Sequence, residues 1–276
     1  MSLLDRVTPD AAYVLTPATS HGSIVRSLLR RRIPTFCEKP LASTANEARA
    51  LVGLADTVGV PFLVGYNRRF APVYRRAKEL LADRPATLAT FQKTRRERFY
   101  RASLDNLIHM VDLARFYFGE PDDVTAVATY DDPFWEENLS ATLRFPGGRI
   151  ATVIGNRSSG IWSERVDLYG AGQTITVNAP GEIVVATEDI EHVERRSPAA
   201  SGYDDPVDAL GFTAQTEHFL TAVRRRGTIT ENTAASALAT QELMERILAA
   251  AGLPVDDAAV RELPFVRRDH AERGVV

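Results

Sequence analysis

The feature that most constrains the fold is an alternation of short apolar runs and helical segments in the first 66 residues. The apolar runs have the length and composition of buried strands, and they lie at 11–16, 35–38 and 62–66. The segments between them place apolar residues at helical spacing, at 22–32 and 44–58. Glu47 follows Thr44 by three residues, which is the spacing of a capping box at a helix start. Strands and helices that alternate through short links predict a parallel sheet with right-handed crossovers.

The pattern changes after residue 66. A helix, a strand and an apolar helix are predicted at 72–83, 86–97 and 104–118. Runs with period two and frequent turn residues then indicate an antiparallel meander of about five strands over 122–196. Two further helices and an irregular tail are predicted at 208–225, 231–251 and 254–276. The predicted fold is therefore α/β over residues 1–66 and mostly antiparallel α+β, an open sheet with flanking helices, over 67–276.

Polar residues follow the carboxyl ends of the three predicted parallel strands. They are Thr16 and Pro17, then Glu38, Lys39 and Pro40, then Asn67 and Arg68. Proline disfavours the α conformation in the residue before it, so Lys39 is expected at the end of its strand. Ligands of open parallel sheets bind beyond these ends, which predicts a binding site there.

A second polar cluster lies in the predicted helix 104–118. Asp105, His109 and Asp112 are spaced i, i+4 and i+7, so in a regular helix they project from one face. An imidazole beside a carboxylate, together with a lysine whose pKa is lowered by burial, is a suitable set for proton transfer in alcohol–carbonyl interconversion. A satisfied polar pair of His109 and Asp112 between two domains fits the spacing equally well. A metal site fits less well, because no further cluster has ligand spacing, and no metal is expected.

Composition excludes several classes of function. The net charge is −3 and the pI is near 6.0, which favours neither nucleic acid nor membrane surfaces as partners. Cys37 is the only cysteine, so no disulfide forms within the chain and a cytoplasmic location is expected. The cations Lys93, Arg95, Arg96, Arg98 and Arg101 are interpreted as a solvated strand face, in preference to a subsite for an acidic substrate.

Four motifs carry a resemblance to a known family. They are Tyr-Val-Leu-Thr-Pro-x-Thr-Ser-His at 13–21, Cys-Glu-Lys-Pro-Leu-Ala at 37–42, Val-Gly-Tyr-Asn-Arg-Arg-Phe-Ala-Pro at 64–72, and Asp-Asn-x-Ile-His-x-Val-Asp at 105–112. With the Glu-His-Phe-Leu helix at 217–220, the chain resembles the Gfo/Idh/MocA oxidoreductases over nearly its whole length. The resemblance implies an NAD- or NADP-dependent enzyme that acts on a sugar, an inositol or a related polyol.

The resemblance also implies roles for individual residues. Lys39 would be the catalytic lysine, and Asp105 and His109 the Asp-x-x-x-His pair, with His109 as general acid/base. The residues expected around the dinucleotide are Thr16, Pro17, His21, Glu38, Pro40, Asn67 and Arg68. The residues expected around the small-molecule substrate are Lys39, Arg68, His109 and Asp112. The open sheet would mediate contacts between identical chains in a homo-oligomer.

The chain departs from the family pattern in one respect. No Gly-x-Gly-x-x-Gly occurs, and the first strand corresponds to the fourth of a Rossmann-like sheet, so strands 4–6 are expected without their neighbours. Three explanations stay open: a shifted start, a partner chain that pairs with the exposed first strand, or a loss of dinucleotide binding. The last alternative is a cofactor-free isomerase or lyase, or a non-catalytic binding protein.

Overall fold

The computed structural model describes residues 4, 6–96, 102–130, 136–195 and 206–255. It contains two sheets, a small parallel one near the start of the chain and a large mixed one after it. This arrangement confirms the predicted fold class.

The small sheet is formed by three strands with helices between them. Its elements are β1 (Ala12–Val14), α1 (Ala18–Arg30), β2 (Thr35–Cys37), α2 (Ala45–Val58) and β3 (Phe62–Val64). The strands pair in the order β1-β2-β3, all parallel, with Val14 opposite Cys37 and Cys37 opposite Val64. The three carboxyl ends therefore lie side by side. The predicted cap is present, because Glu47 N–H donates to Thr44 Oγ1 at 3.3 Å.

The large sheet has eight strands. They are β4 (Leu88–Thr94), β5 (Asp123–Thr129), β6 (Asn138–Phe145), β7 (Arg149–Asn156), β8 (Ser163–Gly170), β9 (Gln173–Asn178), β10 (Glu182–Thr187) and β11 (Ile190–Arg195). Their order is β11-β10-β9-β8-β4-β7-β6-β5, and only the β4–β7 pair is parallel. The expected meander of about five strands is therefore wrong. The described residues of this part of the chain form seven strands, and β4 is inserted between β7 and β8.

Helices cover one face of the large sheet and join it to the small one. After β3 come a 3-10 turn (Asn67–Phe70), α3 (Pro72–Leu80), a π-helical segment (Ala102–Leu107) and α4 (Ile108–Phe118), and the last three helices are α5 (Pro206–Ala209), α6 (Phe212–Arg225) and α7 (Ala234–Ala250). The predicted helix 104–118 is thus not regular over its whole length. Its first turns are π-helical, which changes the angle between residues four apart.

The C-terminal helix α7 connects the two sheets. Gln241 Nε2 donates to the carbonyl of Ala42 at 2.8 Å, and the N–H of Ala45 donates to Glu245 at 2.6 Å. The main hydrophobic core is continuous, and it extends from Val14 in β1 of the small sheet to Leu248 on α7. A shared core of this kind fixes the ends of β1–β3 relative to β4 and α4. Within the described residues, no helix has the length and apolar character needed to cross a membrane.

Candidate active site

Glu38, Lys39 and Pro40 form the loop at the carboxyl end of β2. The Lys39–Pro40 peptide bond is cis, and the N–H of Lys39 donates to Glu38 Oε2 at 3.2 Å. A Cβ on Gly65 would lie 2.9 Å from Glu38 Oε1, so the glycine at the end of β3 allows this carboxylate to lie against the strand. Burial raises the pKa of Glu38, and the nearby charge of Lys39 opposes that shift.

His21 connects the loops after β1 and β2. It is fully buried, with Nδ1 at 2.8 Å from the carbonyl oxygen of Pro40 and Nε2 at 2.7 Å from that of Thr16. Both ring nitrogens thus face backbone carbonyls. His21 thereby holds the two loops together, and its predicted place beside the dinucleotide stays a prediction. The exposed Thr16 hydroxyl accepts a hydrogen bond from Ser20 Oγ at 2.7 Å.

A buried ionic cluster lies where the 3-10 turn meets the large sheet. Arg68 Nε donates to Glu164 Oε2 at 2.9 Å, and its Nη2 donates to Glu164 Oε1 at 2.6 Å. Lys93 Nζ forms an ion pair with the same carboxylate, and Tyr74 Oη donates to it at 3.4 Å. Lys93 and Glu164 stand directly opposite each other on β4 and β8, both on the inward face. Charged side chains are rarely buried without such partners. In this cluster the buried carboxylate of Glu164 is paired with two buried cations, Arg68 and Lys93.

Burial and electrostatic attraction shift the pKa values of Lys93 and Glu164. Burial lowers the pKa of Lys93 to about 7, although Glu164 opposes the shift. The pKa of Glu164 falls to about 2, because the charges of Lys93 and Arg68 outweigh the effect of its own burial. Lysines titrating near neutrality are frequent at functional sites.

His109 is buried at the first turn of α4, beside this cluster. Burial lowers the pKa of its imidazole well below the ordinary value, and the charges of Lys93, Arg68 and Lys39 lower it further. The ring is therefore neutral at neutral pH. Nδ1 has no hydrogen-bond partner among the described residues, and the Tyr66 ring meets the imidazole edge-on at 6.3 Å between centroids. A neutral imidazole with an unpaired nitrogen can accept a proton.

The π-helical segment before His109 depends on a close approach to the sheet. Leu107 packs on β7 at Gly155, where a Cβ would lie 2.9 Å from Leu107 Cδ2. Gly155 in turn lies beside Lys93, its partner in the β4–β7 register. Lys93 near the end of β4, Gly155 of β7 and Leu107 at the end of the π-helical segment thus meet at one place. The side chain of Asp105 lies outside the described residues, so its predicted pairing with His109 stays a prediction.

Two predicted site residues have other partners. Asp112 accepts from Arg69 Nε and Nη2 at 2.8 and 2.6 Å and from Thr240 Oγ1 at 2.8 Å. These contacts tie α4 to the 3-10 turn and α7, and the predicted contact of Asp112 with substrate stays a prediction. Asn67 is likewise buried, and its Nδ2 donates to the carbonyl of Leu210 at 2.9 Å. Asn67 therefore fixes the loop before α6, and its predicted contact with the dinucleotide stays a prediction.

Sequence reasoning missed Glu164 and misinterpreted Lys93. The expected solvated strand face is wrong for Lys93, which is 0% exposed, although Arg96 is exposed. Arg98 and Arg101 lie outside the described residues. The available signal was the period of β4: Ala89, Phe91 and Lys93 alternate onto the inward face, so the lysine follows two core residues. Glu164 carried no local signal, because its partners are 71 and 96 residues away in the chain, counted from Lys93 and Arg68.

The edge formed by the three strand ends fits the nicotinamide end of a dinucleotide. Helix α1 starts there without a side-chain cap, which leaves backbone N–H groups for polar atoms of a ligand. Lys39 is half-buried at the same edge, next to the Glu38 carboxylate that Gly65 accommodates. The 276 residues contain no Gly-x-Gly-x-x-Gly for the pyrophosphate, so the fit concerns this end alone. Within the described part of the chain, no three His, Cys, Asp or Glu residues are placed to hold a metal.

Two family models match the chain. Residues 1–66 match the oxidoreductase family with an NAD-binding Rossmann fold, and residues 78–176 match the GFO/IDH/MocA C-terminal domain. Both models describe parts of one family, and together they cover more than half of the chain.

Curated relatives include inositol 2-dehydrogenase of Rhizobium meliloti and D-apiose dehydrogenase of Paraburkholderia graminis. The first is 26% identical over 65% of this chain and 61% of its own length. The second is 30% identical over 56% of this chain and 42% of its own length. The chain thus spans less than two thirds of the length of these relatives.

Solved structures share the fold. A dehydrogenase from Chromobacterium violaceum superposes with a TM-score of 0.81 at 19% identity, over 91% of this chain and 79% of that one. An oxidoreductase from Agrobacterium radiobacter, in complex with NAD+, L-tartaric acid and magnesium, gives a TM-score of 0.78 at 21% identity, over 91% and 80%.

Proposed function

Because the chain belongs to the Gfo/Idh/MocA family of oxidoreductases, we propose that it takes part in NAD- or NADP-dependent oxidation of a sugar, an inositol or a related polyol. The observation that carries this proposal is His109: a buried, neutral imidazole with an unpaired nitrogen, surrounded by cations. Oxidation of a secondary alcohol needs such a base, because the hydroxyl proton must leave as the carbon–hydrogen bond breaks.

His109, Lys39 and Asp105 have different roles in the proposed reaction. A bound nicotinamide would supply the acceptor for the hydride that leaves the carbinol carbon. The imidazole of His109 accepts the hydroxyl proton, and it returns that proton in the reverse direction. Lys39 donates a hydrogen bond to the reacting oxygen, whose negative charge grows as the proton leaves, and a cation at this place stabilises that charge. Asp105 orients the imidazole from the preceding π-helical turn.

The strand ends would hold the dinucleotide. Thr16 and Pro17 would contact it at the start of α1 and Glu38 would contact it after β2, while His21 holds both loops in place through the carbonyls of Thr16 and Pro40. Arg68 extends from the turn after β3 toward the substrate side, where its guanidinium is fixed by Glu164. This arrangement follows the rule that ligands of parallel sheets bind beyond the carboxyl ends of the strands.

The test is dinucleotide reduction with a panel of inositols, aldoses and sugar acids, using NAD+ and NADP+ separately. We expect turnover with one substrate class, and a loss of at least about 100-fold in kcat for His109→Gln. His192→Gln is the matched control, because His192 is exposed on β11. Turnover that persists after complete removal of nicotinamide would instead establish the cofactor-free isomerase or lyase. Equal rates for the two histidine variants would refute the role of His109.

We also propose that the uncovered face of the large sheet binds a second copy of the chain. A row of short polar side chains crosses six neighbouring strands on that face: Thr125, Thr142, Thr152, Thr90, Asp167 and Thr176. This row consists of five threonines and one carboxylate that is paired with Arg165, and such a polar row suits a self-complementary interface. Thr152→Arg, at its centre, should yield monomers by light scattering, whereas Glu191→Arg on the edge strand β11 should not. A dimer that survives Thr152→Arg would refute this interface.

A further inference from the structure

Glu164 is a fully buried carboxylate that none of the four family motifs contains. It lies on the inward face of β8, and its carboxylate contacts Arg68, Lys93 and Tyr74, which are all buried as well. Apolar side chains of similar volume stabilise such a position as well as ions do. Stability alone therefore does not explain why three charges meet beside the site.

The carboxylate of Glu164 fixes one edge of the Arg68 guanidinium. Arg68 Nε donates to Glu164 Oε2 at 2.9 Å and to Oε1 at 3.1 Å, and Arg68 Nη2 donates to Oε1 at 2.6 Å. Two parallel hydrogen bonds between a planar guanidinium and a carboxylate set both the position and the plane of the guanidinium. Arg68 is therefore held in one orientation.

The other edge of the same guanidinium is available. Arg68 Nη1 forms no hydrogen bond within the described part of the chain, and it is not one of the polar atoms that are enclosed there without a partner. The exposed fraction of the side chain is only 6%, and this nitrogen belongs to that fraction. Arginine has N–H donors and no acceptor, so Nη1 can donate to an oxygen that enters the space beside it.

The 3-10 turn that carries Arg68 is tied to both sides of the candidate site. The N–H of Gly65 donates to the carbonyl of Cys37 at 2.8 Å, which joins the chain before the turn to β2. The neighbouring Arg69 forms an ion pair with Asp112 at 2.6 Å, which joins the turn to α4. Arg68 thus lies between the loop after β2 and α4, which carry the proposed hydrogen-bond donor and the proposed base of the reaction.

We propose that Glu164 is a positioning residue: its carboxylate holds Arg68 by the Nε–Nη2 edge and thereby directs Nη1 at an oxygen of the substrate. The contact with substrate rests on the proposed function, whereas the hold on Arg68 does not. A hydrogen bond from a charged donor strengthens binding by roughly 10- to 100-fold. The bond is present before and during the reaction, so its loss should raise KM and leave kcat nearly unchanged.

Glu164→Gln and Glu164→Asp in the full-length chain test this role. Glutamine keeps the shape but has one acceptor oxygen and no charge, and aspartate keeps the charge but withdraws the carboxylate by one carbon. We expect KM for the polyol to rise by about 10-fold or more in both variants, with a change of less than about threefold in kcat. Glu194→Gln is the matched control, because Glu194 accepts from Arg76 Nε and Nη2 at 3.0 Å each in an exposed pair. Its KM should equal that of the unsubstituted protein.

A double-mutant cycle distinguishes positioning from a general effect on the fold. If Glu164 acts through Arg68, the rise in KM caused by Glu164→Gln should disappear in the Arg68→Met background. An equal rise in both backgrounds would overturn the inference, as would an unchanged KM in folded Glu164→Gln or Glu164→Asp. Glu164→Asp keeps a counter-charge for the two buried cations, so it supplies the result if Glu164→Gln does not fold.

Hydrogen exchange at the Arg68 side chain tests the hold without any substrate. In protein labelled with ¹⁵N, the Nε–H signal of Arg68 is identified by its loss in Arg68→Met. We expect this proton to exchange with water at least about tenfold more slowly than that of the exposed Arg76, and to lose this protection in Glu164→Gln. Exchange as fast as that of Arg76 in the unsubstituted protein would overturn the inference. Slow exchange without turnover would confirm the hold and count against the proposed function.

Discussion

Replacing Asp112 with alanine tests whether its carboxylate stabilises the fold or binds substrate. The side chain is 1% exposed, and it forms two hydrogen bonds with Arg69, which is itself mostly buried. Removing one partner of a buried ion pair leaves the other charge uncompensated, and it lowers the free energy of unfolding by about 3–5 kcal/mol. For a chain of this length that corresponds to a fall of roughly 10 °C in Tm. The cation–π contact of Arg69 with Phe116, 5.6 Å from the ring centroid, survives the change and moderates the loss.

Urea and thermal unfolding of Asp112→Ala measure this cost. Glu79→Ala is the control, because its pair with Arg76 is exposed on both sides and its loss should cost less than about 1 kcal/mol. The double variant Arg69→Met/Asp112→Leu should recover most of the stability, since apolar residues of similar size can replace a buried pair. At temperatures where the protein is folded, KM should stay unchanged. A stability loss below about 1 kcal/mol together with a large rise in KM would refute the structural role.

Two further predictions follow from close packing and from burial of charge. Gly155→Ala should destabilise the protein by about 1–3 kcal/mol, because its Cβ collides with Leu107, whereas Gly53→Ala, in open space on α2, should stabilise it by roughly 0.5–1 kcal/mol. A stabilising Gly155→Ala in urea unfolding would contradict the described approach of α4 to the sheet. The pKa of Lys93 is lowered from 10.5 to about 7, so between these values the unfolded chain binds one more proton than the folded one. The stability of the unsubstituted protein relative to Lys93→Met should therefore rise with pH across this window, and a flat or falling difference would contradict the burial of the charge.

The sequence was most informative where structure depends on neighbours along the chain. The strands and helices of residues 11–66 and the cap at Thr44 follow from local spacing, and the structure has them close to the predicted limits. The insertion of β4 between β7 and β8 was not predictable in this way, because strand order is decided by packing between distant segments. The ion pair of Glu164 with Lys93 was not predictable for the same reason, because it forms only when β8 pairs with β4. The contacts of Asp112 with Arg69 and Thr240 were not predictable either, because i+7 spacing gives a face of a helix but not the element that covers it.

Transfer of deuterium from substrate to dinucleotide tests the central claim most directly. A polyol that supports turnover is prepared with deuterium on the carbinol carbon, and the reduced dinucleotide is analysed by mass spectrometry. If the chain is an oxidoreductase of the proposed kind, the label appears quantitatively in the nicotinamide ring, and the rate of its appearance falls with His109→Gln but not with His192→Gln. Label that remains in the product or exchanges into water, with the dinucleotide unlabelled, would contradict hydride transfer.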